Sequence, residues 1–167
     1  MTQYHGKYRG KAGPLTLDPE NRGRIQVNVP LVMGASFGWA MPCVPYAGIQ
    51  AGIYAVPPPG ANVWVEFEGG NPDRPIWTGC FWELGETPSL ALAPPQPIGH
   101  ILLQTTQQNA IHICDGPPPL GGILLKTATN AMIQINDLGI TISNGKGAMI
   151  TLMGKAVDIN QMALTIT

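Results

Sequence analysis

The sequence GHILLQTTQQNAIHICD at residues 99–115 returns, without gaps, as GGILLKTATNAMIQIND at residues 121–137. Eight of the 17 aligned positions are identical, and the period is 22 residues. A fixed period of this length is typical of stacked supersecondary units. Apolar residues alternate with other residues within each copy, so both copies predict short strands joined by turns.

Strand-like pieces continue beyond the repeat, at Ile140–Ile142, Met149–Leu152, Ala156–Ile159 and Ala163–Ile166, with Asn144-Gly145 as a hairpin-type turn. No aromatic residue occurs in residues 96–167, and strands this short bury little apolar surface within one chain. Exposed edges bearing Ile, Leu and Val favour pairing with other chains, and a closed symmetric oligomer satisfies them. If three chains wrap around one axis, rows of Ile and Leu form a shared core while Thr, Gln and Asn point outward, which predicts a rigid, intertwined rod.

The first half of the chain has the pattern of a small β-barrel. Strands are predicted at Gln3–Lys11, Arg24–Val29, Phe37–Val44, Ala61–Glu68 and Pro75–Trp82. Three of them carry alternating apolar residues, which are Ile25, Val27 and Val29, then Phe37, Trp39 and Met41, then Val63, Val65 and Phe67. Five short strands in about 80 residues, without a helix-period segment, predict a closed or nearly closed barrel.

Composition divides the chain between these two halves. All 11 aromatic residues lie between Tyr4 and Trp82. Prolines at 88, 94, 95 and 97 should interrupt regular structure and form a stiff spacer. The predicted fold is all-β, with a barrel domain at residues 1–85, a Pro-rich linker at 86–98 and the intertwined strands of the rod at 99–167.

Charge and hydropathy exclude several classes of protein. The chain is 44% hydrophobic and 11% charged with a net charge of −1, which excludes generic disorder and disfavours binding to a phosphate backbone. No apolar run approaches 18 residues and the N-terminus lacks an apolar signal core, so we expect synthesis and folding in the cytoplasm. Cys43, Cys80 and Cys114 are an odd, widely spaced set, which predicts buried thiols rather than a disulfide framework.

An ordered set of sequence blocks in the first half resembles a known domain. Two of the blocks are DPENRGRIQVNVP at residues 18–30 and VWVEFEGGNPDRP at residues 63–75. The others are Tyr8–Lys11, Trp39–Cys43, Pro45–Gly48, Pro57–Gly60 and Trp77–Gly79. Together they resemble the oligonucleotide/oligosaccharide-binding (OB) domain of phage baseplate assembly protein V and of VgrG-type spike proteins. The second half is similar in architecture to the C-terminal triple-stranded β-helix of that family.

The resemblance implies the homotrimeric central spike of a contractile phage tail or phage-tail-like injection system. In that family the OB domains sit on the tail hub, and the β-helix pierces the target envelope when the sheath contracts. Some members carry a lysozyme domain between the two modules, for which residues 86–98 are too few. Others bind iron through a His-x-His motif near the tip. This chain has only His112-Ile113-Cys114, well before the C-terminus, so we expect a separate tip protein and no metal.

Four pairs of residues carry side chains that could form a chemical site. Glu66 and Glu68 have the spacing of an acid/base pair, but a solvated strand face explains both. His112 and Cys114 have metal-ligand chemistry, although the repeat replaces them with Gln134 and Asn136. The pair Arg22 and Arg24 has the charge of a nucleic-acid face, but Asn21-Arg22-Gly23 is better explained as a shaped loop. The last pair is Cys43 and Cys80, whose redox activity is disfavoured by their place in aromatic strands.

We therefore predict a non-enzymatic structural spike with no catalytic, cofactor or metal residues. Its partners are two further copies, a tail hub protein on the barrel side, a tip protein at the C-terminal end and, transiently, a cell envelope. One alternative is an OB-fold binder of single-stranded nucleic acid with an oligomerising tail. A weaker alternative is a cell-wall-degrading enzyme, which the absence of a paired acid and base opposes.

Overall fold

The computed structural model describes residues 2–14, 17–95, 97–161 and 163–166. The chain forms two compact units that meet between Glu86 and Thr87, and strands dominate both. The all-β prediction is therefore confirmed. None of the helices in the described part of the chain is long and apolar enough to cross a membrane.

The first unit contains a closed five-stranded barrel, as predicted. The strands of this unit are β1 (Tyr8–Ala12), β2 (Ile25–Asn28), β3 (Gly38–Pro42), β4 (Ala47–Gly48), β5 (Ala51–Gly52), β6 (Asn62–Phe67) and β7 (Pro75–Cys80). The barrel runs in the order β1-β2-β3-β7-β6 and closes through antiparallel pairing of β6 with β1. Only β3 and β7 pair in parallel, and β4 and β5 form a separate two-stranded hairpin. Closure leaves none of the five barrel strands as an open edge.

Alternation places the apolar residues of β2 and β6 inside the barrel. The buried core consists of Ala12, Ile25, Val27, Val29, Ala40, Val63, Val65, Phe67 and Trp77. Gly10 is also buried, because a Cβ at that position would lie 2.8 Å from the carbonyl oxygen of Asn28. The close approach of β1 to β2 at this point therefore leaves no room for a side chain.

In β3 the inward residue is small, contrary to what the aromatic residues suggest. Ala40 is fully buried opposite Ile25, whereas Phe37 is 49% exposed. Trp39 lies on the outside of the strand, where the guanidinium of Arg24 stacks 5.4 Å from its ring. The interior of a five-stranded barrel is narrow and already holds Trp77. The aromatic side chains of Phe37 and Trp39 therefore lie outside the barrel core.

Short helical elements were not predicted from the sequence. The helix α1 (Pro30–Met33) follows β2 and begins with proline at its first position, where the missing N–H costs nothing. A 3-10 turn spans Glu68–Gly70 after β6. A second helical turn, α2 (Ser89–Leu92), lies within the predicted linker, between Pro88 and Pro94, where prolines were expected to exclude regular structure.

The second unit is an eight-stranded antiparallel meander. Its strands are β8 (His100–Gln104), β9 (Ala110–Cys114), β10 (Gly122–Lys126), β11 (Met132–Asn136), β12 (Gly139–Ser143), β13 (Met149–Met153), β14 (Ala156–Ile159) and β15 (Leu164–Ile166). Each strand pairs with its neighbours in sequence, from β8 at one edge to β15 at the other. At about 4.8 Å per strand, the sheet extends over roughly 34 Å.

The repeat is visible in the turns as well as in the strands. The amide of Thr105 donates to the carbonyl of Asn109, and the amide of Thr127 donates in the same way to Ala131. The turn at Asn144 follows this five-residue pattern too, since its amide donates to Ala148. The hairpin predicted at Asn144-Gly145 is present, but its loop is wider than two residues.

Candidate assembly interface

One face of the second unit carries two continuous rows of aliphatic side chains. In the first row, Ile101, Ile113, Ile123, Ile135, Ile140, Leu152 and Val157 occupy matched positions on neighbouring strands. In the second, the matched residues are Leu103, Ile111, Leu125, Ile133, Ile142, Ile150, Ile159 and Leu164. We call these 15 residues the aliphatic face. Strict alternation and constant register keep every one of them on the same side of the sheet.

None of the residues that the structure describes covers the aliphatic face. Twelve of its residues are 38–64% exposed, and the other three are half-buried. A contiguous apolar surface of this extent is unusual on a monomer and marks a contact with another molecule. No charged residue interrupts the rows, so the face has the composition of an interface core.

The opposite face becomes polar along most of the sheet. Matched positions on the middle strands carry Gln134, Thr141, Thr151 and Asp158. Lys126 and Asn136 lie on the same side, because they alternate with the aliphatic residues of their strands. The predicted Thr, Gln and Asn side is therefore present on the middle strands, but Leu124, Met132 and Met149 lie on it too, because they alternate with the aliphatic residues of their strands.

At the β8 end, the polar face is covered instead of solvated. His112 is only 2% exposed, and the neighbouring Cys114 is also buried. The helix α2 contacts β8, and Pro94 just beyond it is fully buried. Because Ile111 and Ile113 on the other side of β9 are open, this cover lies on the His112 side.

His112 is held in its neutral form. Its ring stands edge-on to that of His100 with 5.6 Å between centroids. Burial lowers the pKa of His112, and the positive charge that His100 can carry lowers it further. Among the described residues, its Nε2 is buried without a hydrogen-bond partner, so protonation would place an uncompensated charge there.

The structure does not assemble a metal site from His112 and Cys114. Both side chains lie on the face opposite the aliphatic rows, so copies that met through those rows would hold the two residues apart. Within the described ranges, no three His, Cys, Asp or Glu side chains converge in a way that could hold a metal ion. A shallow cleft of about 240 Å³ nearby is lined by Asp115, Asp137 and several glycines, and is smaller than a typical ligand pocket.

The two arginines considered as a nucleic-acid face are engaged with carboxylates. Arg24 Nε and Nη2 donate to Oδ1 of Asp18 at 3.0 and 2.8 Å, and its Nη1 lies 3.0 Å from Glu20 Oε1. Arg22 Nη1 lies 3.1 Å from Glu20 Oε2. Arg24 therefore has Nε and both terminal nitrogens engaged with carboxylates, whereas Arg22 is more exposed and uses only Nη1 in its ion pair.

Asp18 organises this loop, a role that sequence analysis did not assign. Its carboxylate accepts hydrogen bonds from the amides of Glu20, Arg22 and Arg24 at 3.0, 2.7 and 3.2 Å. The Arg24 guanidinium and these amides hold the pKa of Asp18 well below its ordinary value, against the opposing effect of burial. Asn21 adopts a positive φ of 53°, so the prediction of a shaped loop is confirmed.

The two glutamates proposed as an acid/base pair are separated by their contacts. Glu66 on β6 forms an ion pair with Lys7, in which Nζ donates to Oε1 at 2.7 Å. Glu68 begins the 3-10 turn, and its Oε2 lies 3.7 Å from Nη1 of Arg74. Each carboxylate faces a different cation, which agrees with a solvated face.

The prediction of buried thiols is correct for Cys114 and wrong for Cys43 and Cys80, which are exposed. Cys43 follows the last residue of β3, and Cys80 is the last residue of β7, so neither is inside the barrel. The protein nevertheless raises the pKa of the Cys80 thiol by desolvation, which disfavours the reactive thiolate.

Comparison with known families gives matches to both halves of the chain. Residues 15–82 match the type VI secretion system/phage-baseplate injector OB domain. Residues 100–165 match the phage baseplate V C-terminal trimerisation domain. No curated protein matches the chain. The second match coincides with the sheet that bears the aliphatic face.

Proposed function

Because the chain belongs to the phage baseplate V and VgrG-type family, we propose that it is the central spike of a contractile phage tail or phage-tail-like injection system. The observation that carries the proposal is the uncovered aliphatic face on a sheet that matches a trimerisation domain. In this proposal three copies form a rigid homotrimer that sits on the tail hub and pierces the target envelope on sheath contraction.

Three-fold closure explains why the aliphatic face is continuous. Three sheets that wrap around one axis bury their aliphatic faces against one another and leave their polar faces in water. A dimer of flat sheets would cover the same face but would leave both lateral sides open. The intertwined trimer therefore satisfies the 15 aliphatic residues in every chain with a single arrangement.

Stiffness follows from the same arrangement. Every strand from β9 to β14 is hydrogen-bonded on both sides, so the sheet cannot shear without breaking several backbone hydrogen bonds together. A side chain of one sheet cannot leave the shared core without opening a cavity among the other two. Force applied at the barrel end would then reach the tip through a body that deforms little.

The barrel is the part that we assign to the tail hub, and a separate tip protein is expected at the C-terminal end. We assign no catalytic role and no cofactor, and the particle assembles in the cytoplasm of its host. Binding of single-stranded nucleic acid is the second candidate function, and its only support is the OB fold of the barrel. The ion pairs of Arg22 and Arg24 oppose it.

The proposal is tested by removing the gene from a strain that makes the particle and examining the particles by electron microscopy. We expect the deletion strain to lack complete tails. The wild-type gene should restore them, and an Ile135→Asp variant should not. Recovery by Gln134→Asp on the opposite face is the matched control, since both substitutions add one negative charge to β11. Normal tails in the deletion strain would contradict the proposal.

A further inference from the structure

A hairpin arm projects from the barrel between β3 and β6. The arm comprises residues 45–55, PYAGIQAGIYA, and all 11 of its residues are exposed. The strands β4 and β5 form its stem through the pairs Ala47 with Gly52 and Gly48 with Ala51, and Ile53 donates to the carbonyl of Tyr46. It leaves the barrel at the end of β3, which is also the end that bears the loop of Asp18 and Arg24.

The composition of the arm is that of an interface and not of a solvated loop. It has no charged residue, and its apolar side chains are open, with Ile49 99% and Tyr54 81% exposed. A hairpin with two ladder pairs is marginal in water and needs a surface to pack against. Tyr and aliphatic residues without charge are typical of the buried centre of a permanent contact.

The permanent neighbour of each barrel is a second copy of the chain. The match of residues 100–165 to a trimerisation domain places three barrels in one assembly. Covalent connection to a shared trimer holds those barrels at an effective concentration of roughly millimolar, so a modest contact between them is populated.

We propose that the arm of each copy packs on the barrel of the next copy, in a head-to-tail contact that closes after three copies. This inference rests on the proposed trimer and adds a second contact to it, outside the β-helix. It also assigns a function to Ile49 and Tyr54, which contribute nothing to the barrel core of their own chain.

The test uses thiol accessibility in the full-length protein. In a Cys43→Ser, Cys80→Ser background, which removes the exposed native thiols, Ile49→Cys and Asp73→Cys are made separately. Both positions are exposed in the chain, and the charged turn residue Asp73 serves as the reference for open surface. Rates of maleimide modification are followed by mass spectrometry, each relative to the rate in denaturant, and the mass of each native sample is measured by light scattering.

We expect light scattering to give the mass of a trimer. In that trimer the thiol at position 49 should react at least about tenfold more slowly than the thiol at position 73. A tenfold ratio corresponds to about 1.4 kcal/mol of free energy for docking of the arm. Slow amide hydrogen exchange at residues 46–53 of the wild-type trimer supports the same conclusion without a substitution. A trimer with equal rates and fast exchange overturns the arm contact alone and leaves the arm to a different protein. A monomer overturns both this contact and the proposed spike.

Discussion

Truncation of Ile142 to alanine should destabilise the trimer far more than it destabilises a single chain. Ile142 lies between Ile133 and Ile150 in the second aliphatic row and is 43% exposed in the isolated chain. Burying that remaining fraction is worth about 0.6–1.3 kcal/mol, given about 1.5–3 kcal/mol for a whole aliphatic side chain. Truncation in a closed core costs about 2–5 kcal/mol per chain, so a symmetric trimer loses about 6–15 kcal/mol.

The assay is guanidinium-induced dissociation and unfolding of the full-length protein at several concentrations, followed by circular dichroism. A loss of about 6 kcal/mol corresponds to a roughly 10⁴-fold weaker trimer. Thr141→Ala is the control, since Thr141 is the adjacent residue on the polar face and its truncation should cost no more than about 0.5 kcal/mol. Equal, small effects of both substitutions would refute the assignment of the aliphatic face to a trimer core.

Three further substitutions and conditions have defined outcomes. Below about pH 6.5 the histidine at position 112 is protonated in the unfolded chain but stays neutral in the folded one, where burial lowers its pKa. The free energy of unfolding should therefore be highest above this pH. It should fall by up to about 1.4 kcal/mol per pH unit as the pH drops toward the lowered pKa of the folded state. His112→Gln, which installs the residue of the second repeat, should flatten this part of the profile in melting curves, and an unchanged profile would exclude His112 as its source. Asp18→Asn should remove the buried carboxylate partner of Arg24, leaving only Glu20, and change the fluorescence of Trp39 without changing the oligomeric mass. Identical spectra would mean that the Asp18–Arg24 ion pair does not order the loop. Val65→Ala should lower the free energy of unfolding of the barrel by about 2 kcal/mol, as reported by tryptophan fluorescence, and a loss under about 0.5 kcal/mol would show that the site collapses around the missing methyl groups.

Strand positions were predictable because period-2 alternation is a local property. Val63, Val65 and Phe67 were assigned to one face, and all three are buried. The same alternation in β3 separates two faces but does not say which one is inward. The choice of Ala40 over Trp39 depends on the volume left by the other four strands, which no local pattern contains.

The aliphatic face was foreseen as rows of Ile and Leu, but its register was not. Register depends on the turns, and the five-residue loop at Asn144 differs by three residues from the two-residue hairpin that Asn-Gly suggests. The 22-residue repeat could have supplied this length, because its two internal turns have the same hydrogen-bond pattern as the turn at Asn144.

Contacts between distant or irregular segments were missed. His112 is buried on β9, beside the strand β8 that α2 contacts, and prolines had suggested that the segment of α2 has no regular structure. The carboxylate of Asp18 binds the guanidinium of Arg24, six residues further along the chain. In the sequence, only the cluster Asp-Pro-Glu-Asn before the arginines indicated an ordered loop. The exposure of Cys43 and Cys80 follows from their place at strand ends, which were predicted less accurately than strand centres.

In the proposed spike, the second unit holds three chains together through its aliphatic face. The decisive experiment is absolute mass by light scattering, on the full-length protein and on a truncation that ends near Pro97. We expect three times the chain mass of 17.7 kDa for the full-length protein and a folded monomer for the truncation. A monodisperse, well-folded monomer at full length would contradict it.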